Sequence, residues 1–257
     1  MKRFLLIAAL LVFAVSCKKE QDKTQIIPQD FDTEEVALDS SDVADCKDKA
    51  CPKIDIQFTK IEGDSDFART VNAQNEKELI KILHISQDKP KATSVEAALE
   101  GFVEDYFKFK AIDSLTRTSY EAVIDQELKS KNDRTVVFKT SHYIYTGGAH
   151  GYGGITFANY NAETGALLTQ EDLIKDRSGF TDFMEEKFRQ QYQIPKEANI
   201  NSKGFLFEDD KFVLPENIAV TDKEVILIYN PYEAASYADG QLRFVFPKAS
   251  VEKYFKY

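Results

Sequence analysis

Thr146-Gly147-Gly148-Ala149-His150-Gly151-Tyr152-Gly153-Gly154 stands between two β-rich runs, Thr135 to Tyr145 and Ile155 to Tyr160. Five glycines in nine residues describe a backbone that turns through positive φ or passes close to another atom. A strand, a glycine-rich connection and a second strand make an antiparallel pair, and that pair decides the fold class. The loop also carries a lone histidine flanked by tyrosines. It reads either as a tight strand connection or as a binding or catalytic loop held up by a sheet.

Working outward, Tyr120, Ala122, Ile124 and Leu128 share one face of an upstream strand, and Asn132-Asp133 supplies the turn. Its partner carries Val136, Phe138 and Ile144 on one face, with Val137, Tyr143 and Tyr145 on the other. A third strand passes through Ile155 and Phe157 before Asn161 to Gly165 turns the chain back. Three antiparallel strands with one polar face suit an α+β sheet better than a sandwich. Further out, Ile54, Ile56 and Phe58 alternate as a half-buried strand. Phe67, Val71, Leu79, Ile82 and Leu83 follow at helical spacing until Asp88-Lys89-Pro90. Thr93 and Glu96 form a capping box for a second helix with Val95, Leu99, Phe102, Val103, Tyr106 and Phe109 inward. That aromatic stripe reads as core. Ser178 is the expected cap of a third helix, whose inner face is Phe180, Phe183, Met184, Phe188 and Tyr192. The run from Phe212 to Val220 contains Pro215, so it is bent or lies on an edge. Glu224 to Tyr229 and Leu242 to Phe246 complete the strands. The predicted fold is α+β, with antiparallel sheets and packed helices: a smaller N-terminal α/β subdomain over 51–115 and a C-terminal domain over 116–257.

Lys2 and Arg3 precede an apolar run from Phe4 to Val15 that is too short to span a bilayer. Ala14-Val15-Ser16-Cys17 resembles a bacterial lipobox, with Ala14 where leucine is usual. The resemblance implies a signal peptide over 1–16, lipidation at Cys17 and a place in the cell envelope, at the periplasmic or surface face of the outer membrane. Lys18-Lys19-Glu20-Gln21-Asp22 resembles the charged export signal of some Bacteroidetes surface lipoproteins. The ordinary secretory signal is the alternative. Residues 17–50 read as an acidic disordered tether, because eight acidic residues and one lysine lie between Asp30 and Asp48 without an apolar period. The whole chain carries 33 basic and 43 acidic residues; removing Lys2 and Arg3 with the leader leaves a net charge of −12. A nucleic-acid partner is excluded on that balance, since phosphate contacts need a basic face. Cys46 and Cys51 read as a small-loop disulfide in an oxidising compartment, with free thiols or a zinc site as alternatives. The three histidines lie far from both.

Two patches carry a family resemblance. One is Tyr143-x-Tyr145-Thr146-Gly147-Gly148-Ala149-His150-Gly151, with Asn161-x-x-Thr164-Gly165 downstream. The other is Tyr229-Asn230-Pro231-Tyr232-Glu233-x-Ala235-x-Tyr237-Ala238-x-Gly240. Together they resemble the C-terminal domain of the RsiV/PdaC-type envelope family, shared by lysozyme-sensing anti-sigma factors and a peptidoglycan deacetylase. The segment from Ile54 to about Ile112 is similar to the smaller domain that precedes it there. Ala234 and Ser236 depart from the family's usual isoleucine and proline. The sequence contains no second apolar run of spanning length and no deacetylase domain with paired metal histidines. The resemblance therefore implies ligand recognition by a non-catalytic lipoprotein, with a cationic protein such as lysozyme or cell-wall peptidoglycan as ligand, and no cofactor.

The binding residues expected on this reading are Tyr145, Gly147, Gly148, His150, Tyr152, Tyr232, Glu233 and Tyr237. Tyrosine offers large contact area and one polar tip, though it is equally a core residue. His150 is read as a lock for the glycine loop, its ring bonded to a backbone carbonyl and docked against Tyr232-Glu233. As general base, or paired with His142 on a metal, it would belong instead to a hydrolase or deacetylase. An envelope assembly factor with protein partners only is a further alternative. Glu233 has Arg243 as a candidate mate, or is a solvated loop carboxylate.

Overall fold

The computed structural model describes residues 30–47, 50–112 and 118–257; the expected signal peptide, Cys17 and the Lys18–Asp22 run lie outside the described residues. Five strands form a first sheet in chain order: β1 (Thr33–Asp39), β2 (Lys53–Ile61), β3 (Glu121–Lys131), β4 (Thr135–Tyr145) and β5 (Tyr152–Asn161). Only β2 and β3 run parallel. A parallel neighbour requires a long crossover, and helices α1 (Asp66–Leu83) and α2 (Val95–Ile112) occupy it. The first helix starts where Ser65 accepts from the Ala68 amide, and it buries Phe67, Val71, Leu79 and Leu83 at helical spacing. The cap of α2 is Ser94, which accepts from the Ala97 amide, one residue later than the capping box at Thr93 implies.

Three further strands form a second, antiparallel sheet: β6 (Asn217–Val220), β7 (Glu224–Tyr229) and β8 (Leu242–Pro247). Helix α3 (Gln170–Leu173) leads into α4 (Arg177–Tyr192), and α5 (Lys248–Val251) follows β8. Asp176, not Ser178, caps α4 by accepting from the Gly179 amide. A carboxylate before the first turn also suits the helix dipole. Phe180, Met184 and Phe188 of α4 pack on Val225, Leu227 and Tyr229.

The layers follow from side-chain alternation on β4. Val136 and Phe138 point into the cluster with Phe67 and Val71 of α1. Val137 points the other way and meets Ala219, Ile226 and Ile228 of the second sheet. Helices, sheet, sheet and helix are thus stacked in that order. The strand β7 is buried on both faces, which is why Val225 to Tyr229 is unbroken in its apolarity. The second sheet is tied to the first through its edge strand. Asn159 on β5 donates to the Ile218 carbonyl at 2.7 Å and accepts from the Val220 amide at 2.9 Å. Thr135 donates to the Val220 carbonyl.

Three expectations need correction. The tether does not run to residue 50: Thr33–Asp39 is a strand, paired along its length with Asp55–Ile61. Glu34, Glu35 and Asp39 are exposed on it, so composition resembles that of a disordered segment, while backbone pairing and half-buried Val36 and Leu38 hold it in place. Cys46 and Cys51 are bonded to each other in the turn that follows, beside buried Val43. The division after residue 115 falls inside a continuous sheet, because β2 lies between β1 and β3. Finally, the expected run from Phe212 is not strand as far as Glu216; β6 begins at Asn217 and is indeed an edge.

Candidate functional site

The glycine loop is shorter than its sequence suggests, since β5 already begins at Tyr152. Gly147 and Gly148 turn the chain with φ of +108° and +89°. Gly151 serves a different end. A β-carbon there would lie 2.6 Å from the Ile144 carbonyl oxygen and the Tyr143 ring, so the returning chain presses against β4. Tyr145 closes the loop by donating to the Gly148 carbonyl at 3.0 Å.

The second patch, the loop after β7, docks onto this hairpin through Asn230. Its side-chain amide donates to the Ile155 carbonyl and accepts from the Ile155 amide, both at 2.9 Å. It therefore acts as one residue of a strand added to the free edge of β5. Glu233 holds the loop's own shape. One carboxylate oxygen accepts from the Asn230 amide and the other from the Glu216 amide, each at 2.8 Å. These backbone donors take the place expected for Arg243. Burial pushes the Glu233 carboxyl pKa up, against the downward pull of the two amide bonds.

His150 is exposed. Its Nδ1 lies 2.9 Å from the Gly151 carbonyl, and its ring stacks on Tyr237 with centroids 3.9 Å apart. Tyr237, not Tyr232-Glu233, is thus the docking partner of His150. Tyr232 adjoins Tyr237 at 5.8 Å, takes φ of +71°, and is 55 % exposed. Tyr152 is 41 % exposed, and burial of the rest of its ring, with the Glu233 carboxylate as second cause, raises its phenol pKa. Tyr152, Tyr232 and Glu233 line one cleft of about 1190 Å³, together with Glu171, Glu216 and Arg177. Three carboxylates there face one guanidinium, and Arg177 itself donates to Gln170. His150, Tyr237, Tyr145, Gly147 and Gly148 stand outside that lining. The arrangement offers exposed rings beside an acidic cleft; both Glu233 oxygens are engaged in holding backbone.

One residue here escaped sequence reasoning, and a second was read only as a metal partner of His150. Asn230 was quoted within the second patch but not singled out, although asparagine directly after an apolar strand is a standard source of side-chain bonds to backbone. His142 is the other. It sits opposite Gly154 across the β4–β5 pair, with its Nδ1 buried and unbonded among the described residues. Burial lowers its pKa. The folded state thus prefers neutral imidazole, and the unfolded chain takes up the proton first as pH falls below the ordinary value of about 6.5. Stability is expected to drop through that window, with the loss complete below the folded value. Urea unfolding at pH 7.5 and pH 5.5 checks this: His142→Gln should lose less stability between the two than the parent chain, and equal losses would refute it.

Among the described residues, no three His, Cys, Asp or Glu side chains are grouped to hold a metal ion, and no helix is long and apolar enough to cross a membrane. The family described as "Deacetylase PdaC" matches residues 46–152, and "Protein of unknown function (DUF3298)" matches residues 171–249. The first match runs from the disulfide through the glycine loop; the second takes in the docked loop. Among solved structures, a DUF3298 family member from Bacteroides fragilis is similar at 18 % identity, with a TM-score of 0.66 over 89 % of this chain and 94 % of that one. A DUF3298 family protein from Pseudomonas aeruginosa is similar at 19 % identity, with a TM-score of 0.65 over 89 % and 96 %. These likenesses concern the fold. The chain has no match among curated proteins.

Proposed function

We propose that this chain, parts of which match the PdaC and DUF3298 family models, is a non-catalytic binding module of the cell envelope that recognises a cationic muralytic protein of the lysozyme kind. On this reading a lipid on Cys17 holds it to the outer membrane. The observation that carries the proposal is the pair of exposed rings, Tyr152 and Tyr232, beside a cleft with three carboxylates and one guanidinium. Tyrosine rings and carboxylates together suit lysine and arginine side chains, through cation–π contact and charge complementarity. The net charge of −10 supports attraction at longer range.

The test is titration of the purified chain with lysozyme at low and high salt, with purified sacculi as a parallel arm. Saturable lysozyme binding that weakens with ionic strength is expected. Tyr232→Ala should weaken it at least about tenfold, as an exposed interface anchor does, with the melting temperature unchanged. Absence of lysozyme binding sinks the proposal, and binding to sacculi alone would assign the surface to glycan.

A further inference from the structure

The two sheets present four edges, and three of them are occupied or guarded. On β5 the outer groups are taken by the Asn230 side chain and by the Leu168 amide, which donates to the Asn159 carbonyl. On β6 they are taken by Asn159 and Thr135. The edge of β1 exposes Glu34, Glu35 and Asp39, charges that discourage a further strand. The fourth edge, β8, has neither device. Leu242-Arg243-Phe244-Val245-Phe246 contains no acid, no lysine and no shift in its register with β7.

The pairing determines which of its backbone groups are free. Lys248 donates to the Lys223 carbonyl, one step beyond the Glu224–Pro247 pair, so bonded pairs recur at every second residue from there. They are Phe246 with Val225, Phe244 with Leu227 and Leu242 with Tyr229. The N–H and C=O of Arg243 and Val245 therefore point away from the sheet, without partners among the described residues. Val245 is 42 % exposed.

Helix α4 lies beside this edge, with Phe183 at 5.2 Å from Phe246 and Tyr192 at 6.3 Å from Phe244 between ring centroids. A groove of about 450 Å³ separates them, walled by Lys187, Gln190 and Gln191 of α4 and by Arg243 to Phe246 of β8. It shares no residue with the tyrosine cleft. An open edge strand takes an extended peptide as one more strand, with main-chain bonds for affinity and side-chain contacts for choice.

The charge of the groove makes that choice. Lys187 and Arg243 are its only charged lining groups. Among the described residues Arg243 makes no ion pair, and Lys187 has only Glu186, at 4.0 Å. In a chain of net charge −10 this is a local reversal of sign. A second copy of β8 would bring the same cations to the joint, whereas an acidic segment brings their complement.

We propose that β8 and α4 form a docking groove for an extended acidic segment of a partner protein, bonded through the free main-chain groups of Arg243 and Val245. Fluorescence anisotropy of the full chain with the fluorescein-labelled heptapeptide EEVTVEE tests it. Saturable binding below about 1 mM is expected, and KKVTVKK should bind at least about tenfold more weakly. Alternate amides of a strand face opposite edges, so N-methylation of one alternate set should abolish binding, while the other set stays within about threefold. Arg243→Glu changes an exposed side chain and should weaken binding at least about tenfold with the melting temperature unchanged. Val245→Pro removes one of the two free N–H groups at a position without a ladder bond, and should abolish binding. The proposal is overturned if EEVTVEE does not bind at about 1 mM, if KKVTVKK binds as well, if the two methylated sets behave alike, or if Arg243→Glu binds like the parent. Self-association abolished by Val245→Pro, without peptide binding, would assign the edge to a second copy and overturn it equally.

Discussion

Asn159→Leu is expected to destabilise the protein by about 2–5 kcal/mol, because it orphans two buried backbone groups at once. The Ile218 carbonyl and the Val220 amide lie on the outer edge of β6, and both are bonded to the Asn159 side chain. Asn159 is 3 % exposed, so water does not replace it without opening the joint between the sheets. Leucine matches the volume and supplies neither donor nor acceptor. Thr135→Val offers an internal scale, since at this edge it removes one bond, to the Val220 carbonyl, besides the one its hydroxyl accepts from Asn132, and should cost about 1–2 kcal/mol. Urea unfolding of both variants measures the difference. A loss below about 1 kcal/mol for Asn159→Leu would mean that apolar contact at Val137, Ala219 and Ile226 alone joins the sheets.

Gly151→Ala is the second large effect, at about 3 kcal/mol. Its added carbon would stand 2.6 Å from a backbone oxygen of β4, and that oxygen cannot move without disturbing the strand. Gly148→Ala separates space from conformation. Nothing lies within 4 Å of its added carbon, but φ is +89°, so the cost is that of left-handed backbone alone, about 1 kcal/mol. Thermal unfolding should rank Gly151→Ala well below Gly148→Ala in stability. The reverse order would show that turning, not close approach, is what the glycines supply.

Much of the architecture was legible because strand and helix periods are local properties of the chain. Ile54 to Phe58, Val136 to Tyr145 and the stripe from Val95 to Tyr106 lie where their alternation puts them. Helix starts moved by a residue or two, from Thr93 to Ser94 and from Ser178 to Asp176, since neighbouring oxygens compete for the same free amides. The strand at Thr33–Asp39 was hidden for a different reason. Its pairing energy comes from β2, so its own acidic composition says little about whether it is ordered. The candidate site was half legible. The two patches are visible as motifs, but Asn230 on Ile155 joins residues 75 positions apart, and no local pattern announces that bond. The same holds for Glu233, whose partners are two backbone amides rather than a countercharge.

By itself the sequence determined the α+β class, the antiparallel run from β3 to β5 and the acidic charge, all of which follow from residue type and spacing along the chain. The tertiary structure alone decided that β2 inserts beside β3, that the second sheet hangs from Asn159, and that Tyr152 and Tyr232 share an acidic cleft while Asn75 and Gln126 lie together in a separate, lysine-bordered place. Each of these joins elements far apart in the chain. The free energy of such a contact depends on what lies opposite once the layers close, and periodicity within one segment carries no record of it.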